Sequence, residues 1–450
     1  METQQPSLRS FLEAHENVSQ VEAFIADING LARGKILPRD KALTLDAKGL
    51  AMPRSVYALD IWGNDVADAG MAFGTGDPDS LCFPVTGRHA LVTRGDTTSV
   101  QVMLHMAVDG TPCEGDPRGT LQAMVARLAA RGLRAVVATE LEFYLHRVDD
   151  AGRPVPPDAD GREDHRDVNE TLSLDSLIEH EALFADIRRD CAALGIPADA
   201  LLSEAGPGQF ELNVIHRMDP VAAADDAILL KRVVKAAARR HGLSATFMAK
   251  PYGTSSGSGM HIHVSLLNEQ GTNILAEPDG APSDALFHAV AGLLEAMPAS
   301  MLALAPHANS YRRFRANAHA PITAGWGMDD RSAAVRVVVA DARSTRIEHR
   351  VSGADCNPYL AVAVVLAGVL AGIDKGQSPP PVQDRAHPEA GQPLPTEWGA
   401  AIEAFNQSPF IEQALGARFR EIYVACKRQD RDTILSRVSD VEYSSYLKAL

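Results

Sequence analysis

The chain has 450 residues, 46% of them hydrophobic and 22% charged, the balance of a folded globular protein rather than a disordered or collagen-like one. Its net charge of -15 speaks against nucleic acid as a partner, because a phosphate backbone needs clustered lysine and arginine. Five widely spaced cysteines, Cys82, Cys113, Cys191, Cys356 and Cys426, argue against a disulfide framework or a zinc knuckle and make a cytoplasmic location the expectation.

In chain order, Met1–Ser10 lacks the basic-then-apolar pattern of a secretory signal. From Val21 to about His105, short apolar runs broken by turn signals such as Asn29-Gly30 predict a small β-rich unit. Asp109–Gly119, with two prolines and three glycines, reads as a linker. The expected division is therefore 1–112 and 113–450. Asp116-Pro117 predicts a capped helix closed by Gly132, and Asp219-Pro220 another running to His241 and stopped by Gly242. Strand signals fall at Ala135–Leu145, Phe210–Ile215, Gly259–Leu267 and Val335–Val339. Arg153–Val168 reads as a surface insertion. Asn357-Pro358 opens an apolar helix whose run Tyr359–Ile373 falls short of the roughly 20 residues of a bilayer span, so a buried helix and no membrane partner are expected.

Several clusters carry chemistry. Glu140-Leu-Glu142 lies in a predicted strand, where residues two apart share a face, so two carboxylates converge among apolar neighbours and call for a cation. His261-Ile-His263 repeats the geometry behind the glycine-rich Ser255–Gly259 loop. Glu204 and Glu211 flank a turn leading into a strand, and Arg346-Ile-Glu348-His-Arg350 places Arg, Glu and Arg on one face. Mostly hard oxygen donors suit Mg²⁺ or Mn²⁺ better than zinc. Tyr311–Arg350 holds eight arginines, four acids and no lysine, a bias toward bidentate recognition of carboxylate or phosphate. Metal ions beside arginines describe phosphoryl transfer, yet neither a P-loop nor a dinucleotide-binding glycine motif is present.

These clusters, with Lys250-Pro251, Asn309-Ser-Tyr-Arg-Arg313 and Arg331-Ser-Ala, resemble the glutamine synthetase family in family order, from about Asp27 to Leu447. The resemblance implies an α+β fold: a small N-terminal β-grasp-like domain and a large catalytic domain with a curved antiparallel sheet. It implies ATP and two or three Mg²⁺ or Mn²⁺ ions. Glu142, Glu204 and Glu211 would hold one ion; Glu140, His261 and Glu348 would hold the other. Glutamate would be bound by Glu142, Gly257, Arg313 and Arg350. Arg331 and Arg336 would act on the transferred phosphate, and His263, Ser265, Arg336 and Arg346 would serve ATP. Active sites would lie between subunits of a homo-oligomer, a dodecamer of two stacked hexameric rings.

Departures from the family pattern bear on the acceptor. His319 stands where glutamine synthetases carry a catalytic flap glutamate, Ser256 replaces an asparagine, and Trp62, beside the expected amine-binding Asp60, replaces a small serine. No tyrosine occurs in Leu394–Phe410, which disfavours control by adenylylation. The pattern looks more like the γ-glutamylpolyamine synthetase branch, implying ligation of glutamate to an organic amine. Putrescine-type diamines come first and ethanolamine-type monoamines second; ammonia, or a non-catalytic homologue, are the competing readings.

Overall fold

The computed structural model describes residues 6–94, 97–157, 169–315, 320–383 and 391–450. Of the expected features, His319 and most of the Arg153–Val168 insertion lie outside the described residues.

The first sheet has six strands, ordered Ala32–Pro38, Gln20–Ala26, Thr97–Val108, Asp79–Arg94 and Leu50–Pro53, with Thr111–Pro112 added to Thr97–Val108. Gln20–Ala26 and Thr97–Val108 run parallel. The Asp109–Gly119 segment, read as a linker, is ordered. Its first half closes a hairpin onto Thr97–Val108, and Asp116 then caps the Pro117–Ala129 helix by accepting from Arg118 N at 2.9 Å. Proline and glycine here mark turns within ordered structure rather than slack.

The second sheet has nine strands and is strongly curled. Its path runs Trp326–Met328, Val335–Val338, Arg346–His349, Met260–Leu267, Arg134–Val148, Gln209–Val214 and Ala198–Ser203. Neighbours are antiparallel except Trp326–Met328 with Val335–Val338, which run parallel. Side-chain alternation gives the sheet two unlike faces. Leu141, Phe143, Phe210, Leu212, Ile262, Val264, Val335, Val337 and Ile347 form a buried apolar face, while the residues between them carry nearly all the charge.

Helices pack behind the apolar face, among them Pro220–Arg240, Asp284–Leu304 and Pro358–Lys375. Asp219 and Asn357 cap two of these as their sequences predict, accepting from Val221 N at 2.9 Å and Tyr359 N at 3.0 Å. Asp284–Leu304 has no counterpart among the expected elements, because Pro298 sits inside it and normally signals a break. It packs directly on Pro358–Lys375, where a Cβ at Gly372 would lie 2.0 Å from His288 O and one at Gly292 2.2 Å from Gly368 O. Only glycine permits that approach. These two helices are long and apolar enough to cross a membrane by composition, yet 61% and 78% of their most apolar windows are buried within the protein, as core helices are.

Candidate active site

Strand register assembles the charged clusters into one field. Glu142 stands opposite Glu211, Glu140 opposite His261, and Glu348 lies between His263 and Arg336. Directly paired residues share a face, so Glu211, Glu142, Glu140, His261, His263, Glu348 and Arg336 form a band across five strands. Arg346 and Arg350 extend it two residues either side of Glu348. His349, between them, points into the core, where burial pushes its pKa down to about 4.

The side chains converge as this register requires. His261 Nδ1 lies 3.2 Å from Glu140 Oε2 and 3.7 Å from Glu348 Oε1. Its Nε2 lies 3.9 Å from Glu142 Oε1. Donor atoms of Glu140, Glu211 and His261 fall within 4.8 Å of one another, as do those of Glu140, His263 and Glu348. Glu140 is thus common to both groupings. His263 is closer to the metal-ligand set than its expected nucleotide role suggests, with Nε2 2.9 Å from Glu140 Oε1. Arg346 Nε donates to His263 Nδ1 at 3.2 Å.

Electrostatics divide the acids into two groups. Burial opposes ionisation of Glu140, but hydrogen bonds from His261 and His263 outweigh it and hold the carboxyl below the usual range. Glu348, 1% exposed, is likewise penalised by burial yet lowered by Arg350, then His261 and His263. Arg336 Nη1 donates to it at 2.9 Å, and Arg350 Nη1 bonds its other oxygen. By contrast, burial together with Glu140, Glu142 and Glu204 raises Glu211 to about 9. Burial and Glu142 raise Glu204 to about 7. These crowded oxygens lack sufficient positive charge from the protein, and a hard divalent ion is the group their chemistry fits. Gly259 leaves space at the same place. A Cβ there would lie 3.2 Å from Arg313 Nη2 and His261 Nε2, and 3.3 Å from Glu142 Oε1.

The loops are tied to this field. Gly259 N donates to Glu142 Oε2 at 3.0 Å. Gln209 Nε2 donates to Glu142 Oε2 at 3.1 Å and to Gly257 O at 3.0 Å, while Tyr144 donates to Gln209 Oε1 and to Ser256 O. Gln209 was not among the expected site residues. The alternation that places Glu211 on the field places Gln209 there too, and its complete burial is what sequence does not display. Asn309 pairs with both backbone groups of Lys250, locking the Asn-Ser-Tyr-Arg-Arg turn to the glycine-rich loop. Buried Arg313 follows, donating to Val351 O at 3.1 Å. Asp329 braces Arg336, accepting from Nε at 2.9 Å. Ser265 Oγ donates to Thr345 O at 3.2 Å, and Arg331 is exposed, its carbonyl accepting from Arg350 Nε.

Asp60 and Trp62 sit elsewhere in the chain, on a turn beside the Ala417–Leu435 helix. The Asp60 carboxylate is 1% exposed and accepts from Trp62 N, Asn64 N, Asn64 Nδ2 and Gln429 Nε2. Those donors outweigh the burial penalty and lower its pKa. Trp62 is 41% exposed, with the Arg437 guanidinium 5.1 Å from its ring centre. None of these partners belongs to the sheet face.

The carboxylate-rich field edged by arginines lies in a chain that belongs to the glutamine synthetase family: the model of its catalytic domain matches residues 114–446. Members are ATP- and divalent-metal-dependent carbon–nitrogen ligases. The chain is 38% identical to the γ-glutamylputrescine synthetase PuuA of Escherichia coli (strain K12), over 98% of this chain and 94% of that protein. It is 31% identical to a glutamate–isopropylamine ligase of Pseudomonas sp, over 98% and 97% respectively. The solved structure of a GmaS/ADP complex superposes with a TM-score of 0.83 at 24% identity, covering 98% of this chain and 99% of that one, a likeness of fold.

Proposed function

We propose that the protein joins the side-chain carboxylate of glutamate to a primary amine, a putrescine-type diamine first among them. The observation that carries this reading is the sheet-face constellation, Glu140 to Glu348, in a chain 38% identical to a γ-glutamylputrescine synthetase across nearly its whole length. The relatives named for putrescine and isopropylamine both act on organic amines, which favours an amine over ammonia.

In this reading Glu142, Glu204 and Glu211 hold one divalent ion and Glu140, His261 and Glu348 another, with a third ion left open. Bound ions neutralise phosphate oxygens and polarise the phosphorus for attack. The chain's own residues supply the rest. Arg313 and Arg350 bind the glutamate α-carboxylate, and the Gly257 loop meets its amino end. His263, Ser265 and Arg346 line the ATP site. Arg331 and Arg336 stabilise charge on the phosphoryl group in flight. A glutamate γ-carboxylate oxygen bonds to the γ-phosphorus as ADP departs. The amine nitrogen, having lost a proton, then attacks the acyl carbon and expels phosphate. His319 is the proposed proton acceptor.

Asp60 and Trp62 lie away from the field of their own chain, so the reading places them at the site of a neighbouring subunit in a dodecamer of two stacked hexameric rings. Asp60 shapes the turn, and the exposed Trp62 face receives the ammonium. The organisation is 1–112 as the unit carrying this turn and 113–450 as the catalytic unit, in the cytoplasm.

The test is phosphate release from purified protein with ATP, Mg²⁺ and glutamate, adding putrescine, spermidine, ethanolamine, isopropylamine or ammonia singly, with products identified by mass. A γ-glutamyl diamine product with little response to ammonia is expected. Stimulation by ammonia alone would overturn the amine reading. His319→Ala should slow amide formation while ATP hydrolysis persists; an unchanged rate with saturating amine would remove His319 from the chemistry.

A further inference from the structure

The turn bearing Asp60 and Trp62 is fastened by a buried polar cluster that the mechanism does not use. On the Ala417–Leu435 helix, Lys427 and Asp430 lie three residues apart with side chains 0% and 1% exposed and are paired at 3.0 Å. Lys427 Nζ also donates to Asn29 Oδ1 at 2.6 Å, and Asn29 Nδ2 donates to Leu59 O at 3.0 Å. The other oxygen of Asp430 accepts from Ile61 N at 2.8 Å. The adjacent Gln429 reaches Asp60 Oδ2 at 3.0 Å and Asp65 O at 3.2 Å. Every tie ends on the Leu59–Asp65 turn: Leu59 through Asn29, Ile61 through Asp430, Asp60 and Asp65 through Gln429.

A buried ion pair is a poor stabiliser, because desolvating two charges costs about as much as their attraction returns, and apolar isosteres often do better. What such a pair supplies is register, since each partner is satisfied in one arrangement only. Here that arrangement fixes the backbone N–H of Ile61, on one side of Trp62, while the adjacent Gln429 holds the Asp60 carboxylate.

We propose that Lys427 and Asp430 are positioning residues for amine recognition, holding the Leu59–Asp65 turn so that Trp62 is presented to the acceptor. The inference rests on the reading of that turn as part of the amine site. It assigns the specificity element to the Ala417–Leu435 helix, more than 360 residues away in sequence from the turn it sets.

The experiment uses the full-length enzyme with Mg²⁺ and ATP, measuring KM separately for putrescine, glutamate and ATP. Asp430→Ala removes the acceptor for Ile61 N and should raise the putrescine KM about two- to fivefold, the scale of the exposed cation–π contact it misplaces, leaving the glutamate and ATP KM values unchanged. Asp430→Asn keeps an acceptor oxygen for Ile61 and should restore most of that loss. If alanine and asparagine variants behave alike, or all three KM values rise together, the pair serves stability and the inference falls. Should Asp430→Ala not fold, Gln429→Leu cuts the second tie from a partly exposed position and is read by the same ratio; an unchanged putrescine KM there is equally fatal. Trp62→Ala is the reference. If it leaves the putrescine KM unmoved, the amine-site reading of the turn fails instead, and the positioning role with it.

Discussion

Metal binding should be paid in protons at two particular carboxyls. Without an ion, Glu211 is held up to about 9 and Glu204 to about 7 by burial and by the acids beside them. A divalent ion needs both ionised. At pH 7 Glu211 is then almost fully protonated and Glu204 half so, and binding should release about one and a half protons. Between pH 7 and pH 8.5 the affinity for Mn²⁺ should rise about fiftyfold, about twenty-five-fold from Glu211 and the remaining twofold from Glu204, each following its own titration. Isothermal titration calorimetry with Mn²⁺ in buffers of different ionisation heat counts the protons directly. Glu211→Gln, which removes the higher-titrating group, should cut the rise to about twofold. Proton-independent binding by the wild type, or an identical pH dependence in the Gln variant, would refute the placement of Glu211 on an ion.

The same groups govern stability of the metal-free protein. A carboxyl raised above its unfolded value favours the protonated fold, so stability should fall as pH rises toward about 9, the value held by Glu211. A melting temperature that declines between pH 7 and pH 9, and less so in Glu211→Gln or with Mn²⁺ present, is the expected result. Gly259→Ala should fold normally, as judged by circular dichroism, yet lose most turnover, because its Cβ would crowd Arg313, His261 and Glu142 at 3.2 to 3.3 Å; retained kcat/KM would show that this space is not used. Glu348→Gln should abolish ATP turnover and weaken metal binding, since the site loses the buried carboxylate that Arg336 and Arg350 hold; near-normal turnover would exclude it from the metal set. Gly372→Ala, with a Cβ 2.0 Å from His288 O, should cost about 2 to 4 kcal/mol in denaturant melts, and a cost below about 0.5 kcal/mol would mean the helices part easily.

Sequence displayed the charged field because strand alternation is a local rule. Glu140 and Glu142, His261 and His263, and Arg346 with Glu348 and Arg350 are each legible as pairs on one face without knowledge of their neighbours. Register between strands is not local. That His263 rather than His261 stands opposite Glu348, or that Glu211 meets Glu142, depends on pairings across many residues that no spacing encodes. Caps were legible at Asp116, Asp219 and Asn357 because each is a side chain reaching its own helix. The Asp284–Leu304 helix was hidden by Pro298, whose local signal is overridden by packing against the glycines of its partner helix.

The turn at Asp60 shows the sharper limit. The family resemblance implies at Asp60 a carboxylate offered to a cation. In the fold that carboxylate already accepts four hydrogen bonds and is almost wholly enclosed, so its charge is spent on backbone and amide donors. On the proposed reading an ammonium arriving at this turn would meet the exposed indole, beside which the Arg437 guanidinium already lies. A cation–π contact at an exposed site supplies only about 0.5 to 1 kcal/mol, too little to select an amine alone. Selection therefore needs a wall and further carboxylates that this chain's turn does not provide by itself. That requirement, rather than any feature of the turn's own sequence, is the physical argument for completing the acceptor site with a second copy of the chain.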